Sequence, residues 1–302
     1  MSLVDYSASS SENESDLILD KDRPQRKKRK ITEPHHSPAI AKAPPPLPLS
    51  FHSLYATATR TSTSDDPSLH AGRTRQIPHV IGHWPTHLYL EWHPSTTQEH
   101  VLQGLVDMAA SAVNTHPSRD QGAIHSFLRS NLGAPLPLHI SLSAPIVLHT
   151  DQKSPFQELI EAKVQHAQIT SFQTHTLGLK WVSNKDKTRF FFVLILSRPE
   201  NDQLNLLLEK CNAVARHFGL EPLYHIRQSH DPAISPSHRD STDQTGSFHI
   251  SIGWTLSEPS EQEKVHVSQA ICPRLTITFS QLKLKIGNSI TDIPLLPGET
   301  SC

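Results

Sequence analysis

Cysteine, glycine and long apolar runs are all scarce in this 302-residue chain. The three cysteines, Cys211, Cys272 and Cys302, are too few and too scattered for a disulfide framework or a thiolate zinc site, so a reducing compartment is expected. The longest apolar run, Phe190 to Leu196, is only strand-sized, and the Ser- and acid-rich N-terminus has no apolar signal region. The protein is therefore expected to be neither secreted nor embedded in a membrane. Neither sign of charge dominates: 28 Lys+Arg face 29 Asp+Glu, which argues against electrostatic coating of DNA and leaves room only for local contacts to nucleic acid. Among the 11 glycines there is no Gly-x-Ser-x-Gly nucleophile elbow and no phosphate-cradling loop, so serine-hydrolase and P-loop chemistry are disfavoured. Proline and histidine, by contrast, are plentiful, at 24 and 21.

The prolines are unevenly spread. Residues 1–66 hold seven of them and no glycine, and no helical or strand period survives there. Their apolar content is too low to offset the entropy of ordering, which predicts a disordered arm. Within it, the basic run Arg23 to Lys30 reads as a nuclear-import signal or an RNA-steering patch, and Ala43 to Leu49 as a stiff proline-rich spacer. From residue 67 to 302 a folded α+β domain is expected. Thr86 to Trp92 alternates with period two, and Gln98 to Val113 carries an apolar stripe at helical spacing. A second strand centres on Leu138 to Ser143. Ser154-Pro155 predicts the start of a helix running to about Ala167. Strands follow at Phe172–Trp181 and Arg189–Leu196, then a helix from Glu200 to Phe218 closed by Gly219. Phe248–Trp254 reads as a strand, Pro259–Ala270 as a short helix, and Leu275–Ile286 as one long strand turning at Gly287-Asn288.

Two of these strands share a pattern, Leu138-His139-Ile140-Ser141-Leu142-Ser143 and Phe248-His249-Ile250-Ser251-Ile252. Successive strand side chains point to opposite faces, so His139, Ser141 and Ser143 lie together with the aliphatic residues behind them, and His249 lies with Ser251. Two such strands could aim two imidazoles into one cleft. That arrangement suits phosphodiester cleavage: one ring takes a proton from the attacking oxygen, the other protonates the leaving oxygen, and serine hydroxyls hold the phosphate. Histidine fits because its ordinary pKa of about 6.5 keeps both states accessible near neutrality. No metal or other cofactor is needed. His79, His83 and His87 are spaced four apart, a metal face if helical, but Pro78 and Pro85 interrupt any helix, and a structural or loop role is expected for them.

These two segments resemble those of the 2H phosphoesterase superfamily. With Gly72 to Tyr89, Trp181 to Asn184, Lys187 to Arg189, Ser247 to Trp254 and Lys285 to Asn288, the chain more narrowly resembles the U6 small nuclear RNA phosphodiesterase family (Usb/Mpn type). The resemblance implies a two-lobed, pseudo-symmetric α+β fold with a central cleft. It also implies a metal-independent 3′-to-5′ RNA exonuclease that trims the uridine tail of U6 RNA in the nucleus, acting as a monomer. His139 and His249 would be the catalytic pair, with His249 as base and His139 as acid. Ser141 or Ser143, with Ser251, would be the phosphate ligands. The family's base-stacking tyrosine falls about six residues before the second motif histidine, where this chain has Asp243. A polar insertion over about 226–246 is inferred, and Tyr224 becomes the stacking candidate. Two alternatives stay open: an enzyme that only opens 2′,3′-cyclic phosphate ends, and a catalytically idle RNA-binding splicing scaffold.

Overall fold

Alternation in the apolar residues sets the strands, and its phase decides which sheet each strand joins. A computed structural model describes residues 80–113, 123–130, 132–224 and 243–298, all within one unit spanning 48–302. The expected arm, 1–66, lies outside the described residues, as does most of the expected insertion.

The first sheet runs β10 (Ser289–Pro294), β9 (Gln281–Ile286), β1 (His83–Trp92), β3 (Leu138–Ser141), with β4 (Ile146–His149) also pairing β1. The second runs β2 (His125–Ser126), β7 (His249–Thr255), β6 (Phe190–Leu196), β5 (Phe172–Ser183), β8 (Thr276–Phe279). All these pairings are antiparallel. Helices α1 (Thr96–Val113) and α4 (Glu261–Gln269) pack on one another, as do α2 (Lys153–His166) and α3 (Gln203–His217). The two sheets meet where β3 lies against β7. This is the expected two-lobed α+β architecture with a cleft between the lobes.

The single strand expected over Leu275–Ile286 is in fact two. Ile277 and Phe279 are buried in β8, whereas Leu282, Leu284 and Ile286 are buried in β9. The buried set thus slips from odd to even positions across Ser280. Because a one-residue slip moves every side chain to the other face, the chain leaves one sheet there and enters the other. The hairpin from β9 to β10 turns at Gly287, whose φ of +60° and close approach to Trp84, with a Cβ placed 2.9 Å from the indole, leave no room for a side chain. Helix α2 begins at Lys153 after a 3-10 turn over Thr150–Gln152, one residue before the expected Ser154 cap. Helix α4 opens with a capping box in which the Ser260 hydroxyl accepts from the Glu263 amide and the Glu263 carboxylate accepts from the Ser260 amide.

Candidate active site

The cleft takes its polar face from β1, β3, β7 and β9. On β1 the alternation buries Leu88 and Leu90 fully in the core and turns His87, Tyr89 and Glu91 the other way. On β3, Leu138 and Ile140 are buried while His139 is exposed and Ser141 half-buried. On β7, Ile250 and Ile252 are buried while His249 and Ser251 are half-buried. Each strand therefore anchors its polar residues by packing their neighbours into the core, which fixes the imidazoles at little entropic cost.

His139 and His249 come together as expected: both line one cavity of about 440 Å³, with Ser141, Ser251 and Glu91. A second cavity, of about 760 Å³, adjoins it and holds Tyr224, Lys180 and Ser143. Five side chains, His87, Ser141, Phe191, His249 and Lys285, line both. His87, Ser141 and His249 therefore sit at a seam between the two cavities, whereas His139 and Ser251 line the smaller one.

The orientation of His249 is fixed by one bond. Its Nδ1 lies 2.7 Å from the Ser247 carbonyl oxygen, and a carbonyl can only accept, so Nδ1 carries a proton. In the neutral ring Nε2 then bears the lone pair. Ser247 closes a 3-10 turn, Thr245–Ser247, held by neighbours on both sides. The Gln244 amide donates to Asn205 Oδ1 of α3 at 2.8 Å and Lys180 Nζ donates to the Gly246 carbonyl at 2.9 Å. Asn205 and Thr245 also donate to Asp243, holding its carboxyl down at about 2. The Ser247 carbonyl accepts a second bond, from the Tyr224 hydroxyl at 3.0 Å. Tyr224 itself takes a left-handed φ of 58°, its ring meets Phe248 edge-on, and burial pushes its phenol up to about 12.

Both histidines are held below the ordinary imidazole pKa. For His249 the causes are burial and then the Lys180 charge, opposed by the Ser247 bond. For His139 they are the crowding of the cleft walls and the nearby His249, opposed by Glu91. The His139 ring is exposed to water in the cleft, but the walls exclude the water beyond. Glu91 is the cross-strand partner of His139. Burial pushes its carboxyl up, but bonds from His93 and Lys283 outweigh this and keep it ionised. Lys283 in turn bridges Glu91 at 3.3 Å and Asp292 at 2.8 Å.

The two candidate serines at the end of β3 differ: Ser141 closes the strand and Ser143 lies two residues beyond it. Ser141 opens on both cavities. Ser143 is buried, and its hydroxyl accepts the Leu88 backbone N–H at 3.0 Å. Ser251 lines the smaller cavity.

A model of the family described as HVSL, an uncharacterised conserved protein, matches residues 45–294. This chain belongs to the HVSL family. Relatives in the same group carry the name U6 snRNA phosphodiesterase 1. The Neurospora crassa protein is 32% identical, over 87% of this chain and 77% of its own length. The human protein is 26% identical, over 97% of this chain and 98% of its own length. The solved structure of Kluyveromyces marxianus Usb1 matches 70% of this HVSL chain and 98% of its own, with a TM-score of 0.53 and 17% identity, so the fold is shared. The family expected from the sequence is thus the family found.

Sequence reasoning set aside one residue that the fold places in the cleft. His87, considered only as part of a four-residue histidine spacing, lines both cavities and bonds Ser141. The signal that finds it is the period-two alternation of Thr86 to Trp92, which puts it on the same face as Tyr89 and Glu91. His83 instead meets His149 ring to ring on the neighbouring strand, and His79 lies outside the described residues. Among the described residues no three His, Cys, Asp or Glu side chains are grouped to hold a metal ion, and no helix is long and apolar enough to cross a membrane.

Proposed function

We propose that this HVSL protein is an RNA phosphodiesterase that trims the 3′ end of U6 small nuclear RNA with two histidines. The observation that carries the mechanism is the His249 Nδ1–H bond to the Ser247 carbonyl, which leaves Nε2 as a lone pair in a cleft shared with His139. His249 Nε2 takes the proton from the 2′-hydroxyl of the penultimate ribose. The freed oxygen forms a bond to the last phosphorus, and the bond from phosphorus to the 5′-oxygen of the terminal nucleoside breaks. His139 gives its proton to that leaving oxygen. The products are a 2′,3′-cyclic phosphate end and a free nucleoside. Ser141 and Ser251 donate to the non-bridging oxygens as charge develops. Tyr224 stacks on a base from the larger cavity, a contact worth about 1–3 kcal/mol.

The depressed pKa of His249 suits a base, which must be neutral before reaction. His139 must be protonated, and two things favour that: ionised Glu91 beside it and the arriving phosphate anion. U6 RNA is the substrate named for relatives across most of this chain's length. The basic run Arg23 to Lys30 supports action in the nucleus, since such Lys/Arg blocks serve as import signals.

The test is to incubate the purified protein with oligouridylate ending in a 2′,3′-diol and to weigh the products by mass spectrometry. Release of uridine in the first turnover and of uridine 2′,3′-cyclic phosphate in each later one, always leaving a cyclic phosphate end on the shortened RNA, supports the proposal. Inertness toward the diol, with opening of added 2′,3′-cyclic ends, would replace it with a cyclic phosphodiesterase.

A further inference from the structure

His87 is a third histidine in the cleft that the two-histidine chemistry leaves without work. It sits on β1 opposite Lys285 of β9, and its Nε2 lies 3.2 Å from the Ser141 hydroxyl oxygen. The ring is clamped. It stacks on Tyr89 with centroids 5.1 Å apart and planes within 20°, and meets His139 edge-on at 5.4 Å. A ring held this way on two sides has one orientation to offer.

Its charge state is equally constrained. Burial first, then the neighbouring His139 and Lys285, push its pKa down to about 3. A neutral imidazole has one N–H, and a serine hydroxyl has one proton, so only two arrangements are open to the pair. In the first, Ser141 donates to a bare Nε2 and has only lone pairs to show the cleft. In the second, Nε2 carries the proton and donates to the Ser141 oxygen, and the Ser141 proton is free to point at a ligand. A non-bridging oxygen of the ionised phosphodiester accepts and cannot donate. The first arrangement meets it with repulsion, the second with a hydrogen bond strengthened by the donor behind it.

We propose that His87 is a positioning residue whose Nε2–H donates to Ser141 and turns the Ser141 hydroxyl proton onto the substrate phosphate. The idea rests on the proposed phosphate-binding role of Ser141, and goes further by giving that serine a fixed direction. It also explains why the cleft holds an imidazole here that neither takes nor gives a proton: a charged donor at this point would add a further cation beside His139, which must itself stay protonated.

Two measurements test it. The first is nitrogen NMR of the histidines in the full-length protein with and without dimethyl phosphate, an acceptor-only phosphodiester, with His87 assigned from the spectrum of His87→Gln. The expected result is a neutral His87 between about pH 5 and pH 8, protonated on Nε2 when dimethyl phosphate is bound. Protonation on Nδ1 with dimethyl phosphate bound, or titration within that window, overturns the proposal. The second is kinetic. His87→Ala should lower kcat for oligouridylate trimming about tenfold with KM little changed. His87→Gln, whose amide N–H can occupy the place of Nε2, should restore most of the rate. In a Ser141→Ala background His87→Ala should cost nothing more, because the hydroxyl it directs is gone. An equal loss in both backgrounds would make His87 a structural residue and defeat the proposal. If the wild-type protein leaves oligouridylate intact while His87 still shows the Nε2–H form on dimethyl phosphate, the proposed reaction is wrong and the orientation of Ser141 stands.

Discussion

Ser141 ends β3 and Ser143 follows two residues on, their hydroxyls meet different partners, His87 and the Leu88 N–H, and a pair of alanine substitutions separates them. Ser143 lies just past the end of β3, where the acceptor's place opposite the Leu88 N–H of β1 falls to a side chain. Its hydroxyl takes that place, accepting the N–H of Leu88 at 3.0 Å, while the Leu142 amide donates to the Leu88 carbonyl at 2.8 Å. Leu88 is fully buried and Ser143 is 4% exposed. Removing the hydroxyl leaves a buried donor without an acceptor, a cost of about 1–3 kcal/mol. For a domain of this size each kcal/mol lowers Tm by about 2–4 °C. Ser143→Ala should therefore melt roughly 2–12 °C lower, while trimming at 25 °C stays within about twofold of wild type. Ser141→Ala should do the reverse. It removes a donor aimed at the phosphate, with a loss of about 10²-fold in kcat and a smaller fall in Tm than Ser143→Ala, since the His87 Nε2 that loses its partner lines both cavities and can bond water there. Thermal melts followed by fluorescence, beside initial trimming rates, decide the matter. A Ser143→Ala protein of full stability and greatly reduced rate would refute the assignment.

Three further outcomes follow from the site. Replacing His139 or His249 with Ala should lower trimming by about 10² or more without unfolding the protein; circular dichroism and rate measurements on the same samples check both halves. The profile of kcat/KM against pH should be a bell with its maximum below about pH 6.5, because both histidines are held under the ordinary value. The sign is that a depressed pKa lets the base stay neutral to lower pH and makes the acid lose its proton sooner, so both limbs move down; a maximum above pH 8 would contradict this. Trimming should persist in EDTA, since every proton transfer is assigned to a side chain, whereas loss restored by added zinc would demand a metal role.

Much of the site was legible because strand alternation is local. The facing of His139 with Ser141 and of His249 with Ser251 follows from period two alone, and the apolar residues between them are buried as that period requires. The same rule, applied to Thr86 to Trp92, places His87 with Tyr89 and Glu91, whereas its four-residue spacing from His83 offers only a helical metal face that Pro85 rules out, leaving a structural or loop role. The phase slip across Ser280 is also visible in the sequence once each half is counted separately. Other features depend on contacts between distant segments. The bond between Leu88 and Ser143 joins residues 55 apart in sequence, and that between Tyr224 and Ser247 joins residues 23 apart. Short strands such as His125–Ser126 carry too few residues for any period to register.

The central claim is that the 2′-hydroxyl of the penultimate ribose is the nucleophile and His249 its base. Oligouridylates with a single 2′-deoxy residue test it directly, with product length read residue by residue. Substitution at the penultimate position should block removal of the terminal nucleotide, and substitution one position further in should let one nucleotide leave and then stop the enzyme. Affinity for both oligomers should change little, because stacking on Tyr224 and the contacts of Ser141 and Ser251 do not use the hydroxyl. Normal trimming of the penultimate deoxy oligomer would mean that water attacks the phosphate, and His249 could not then be the base that activates the ribose.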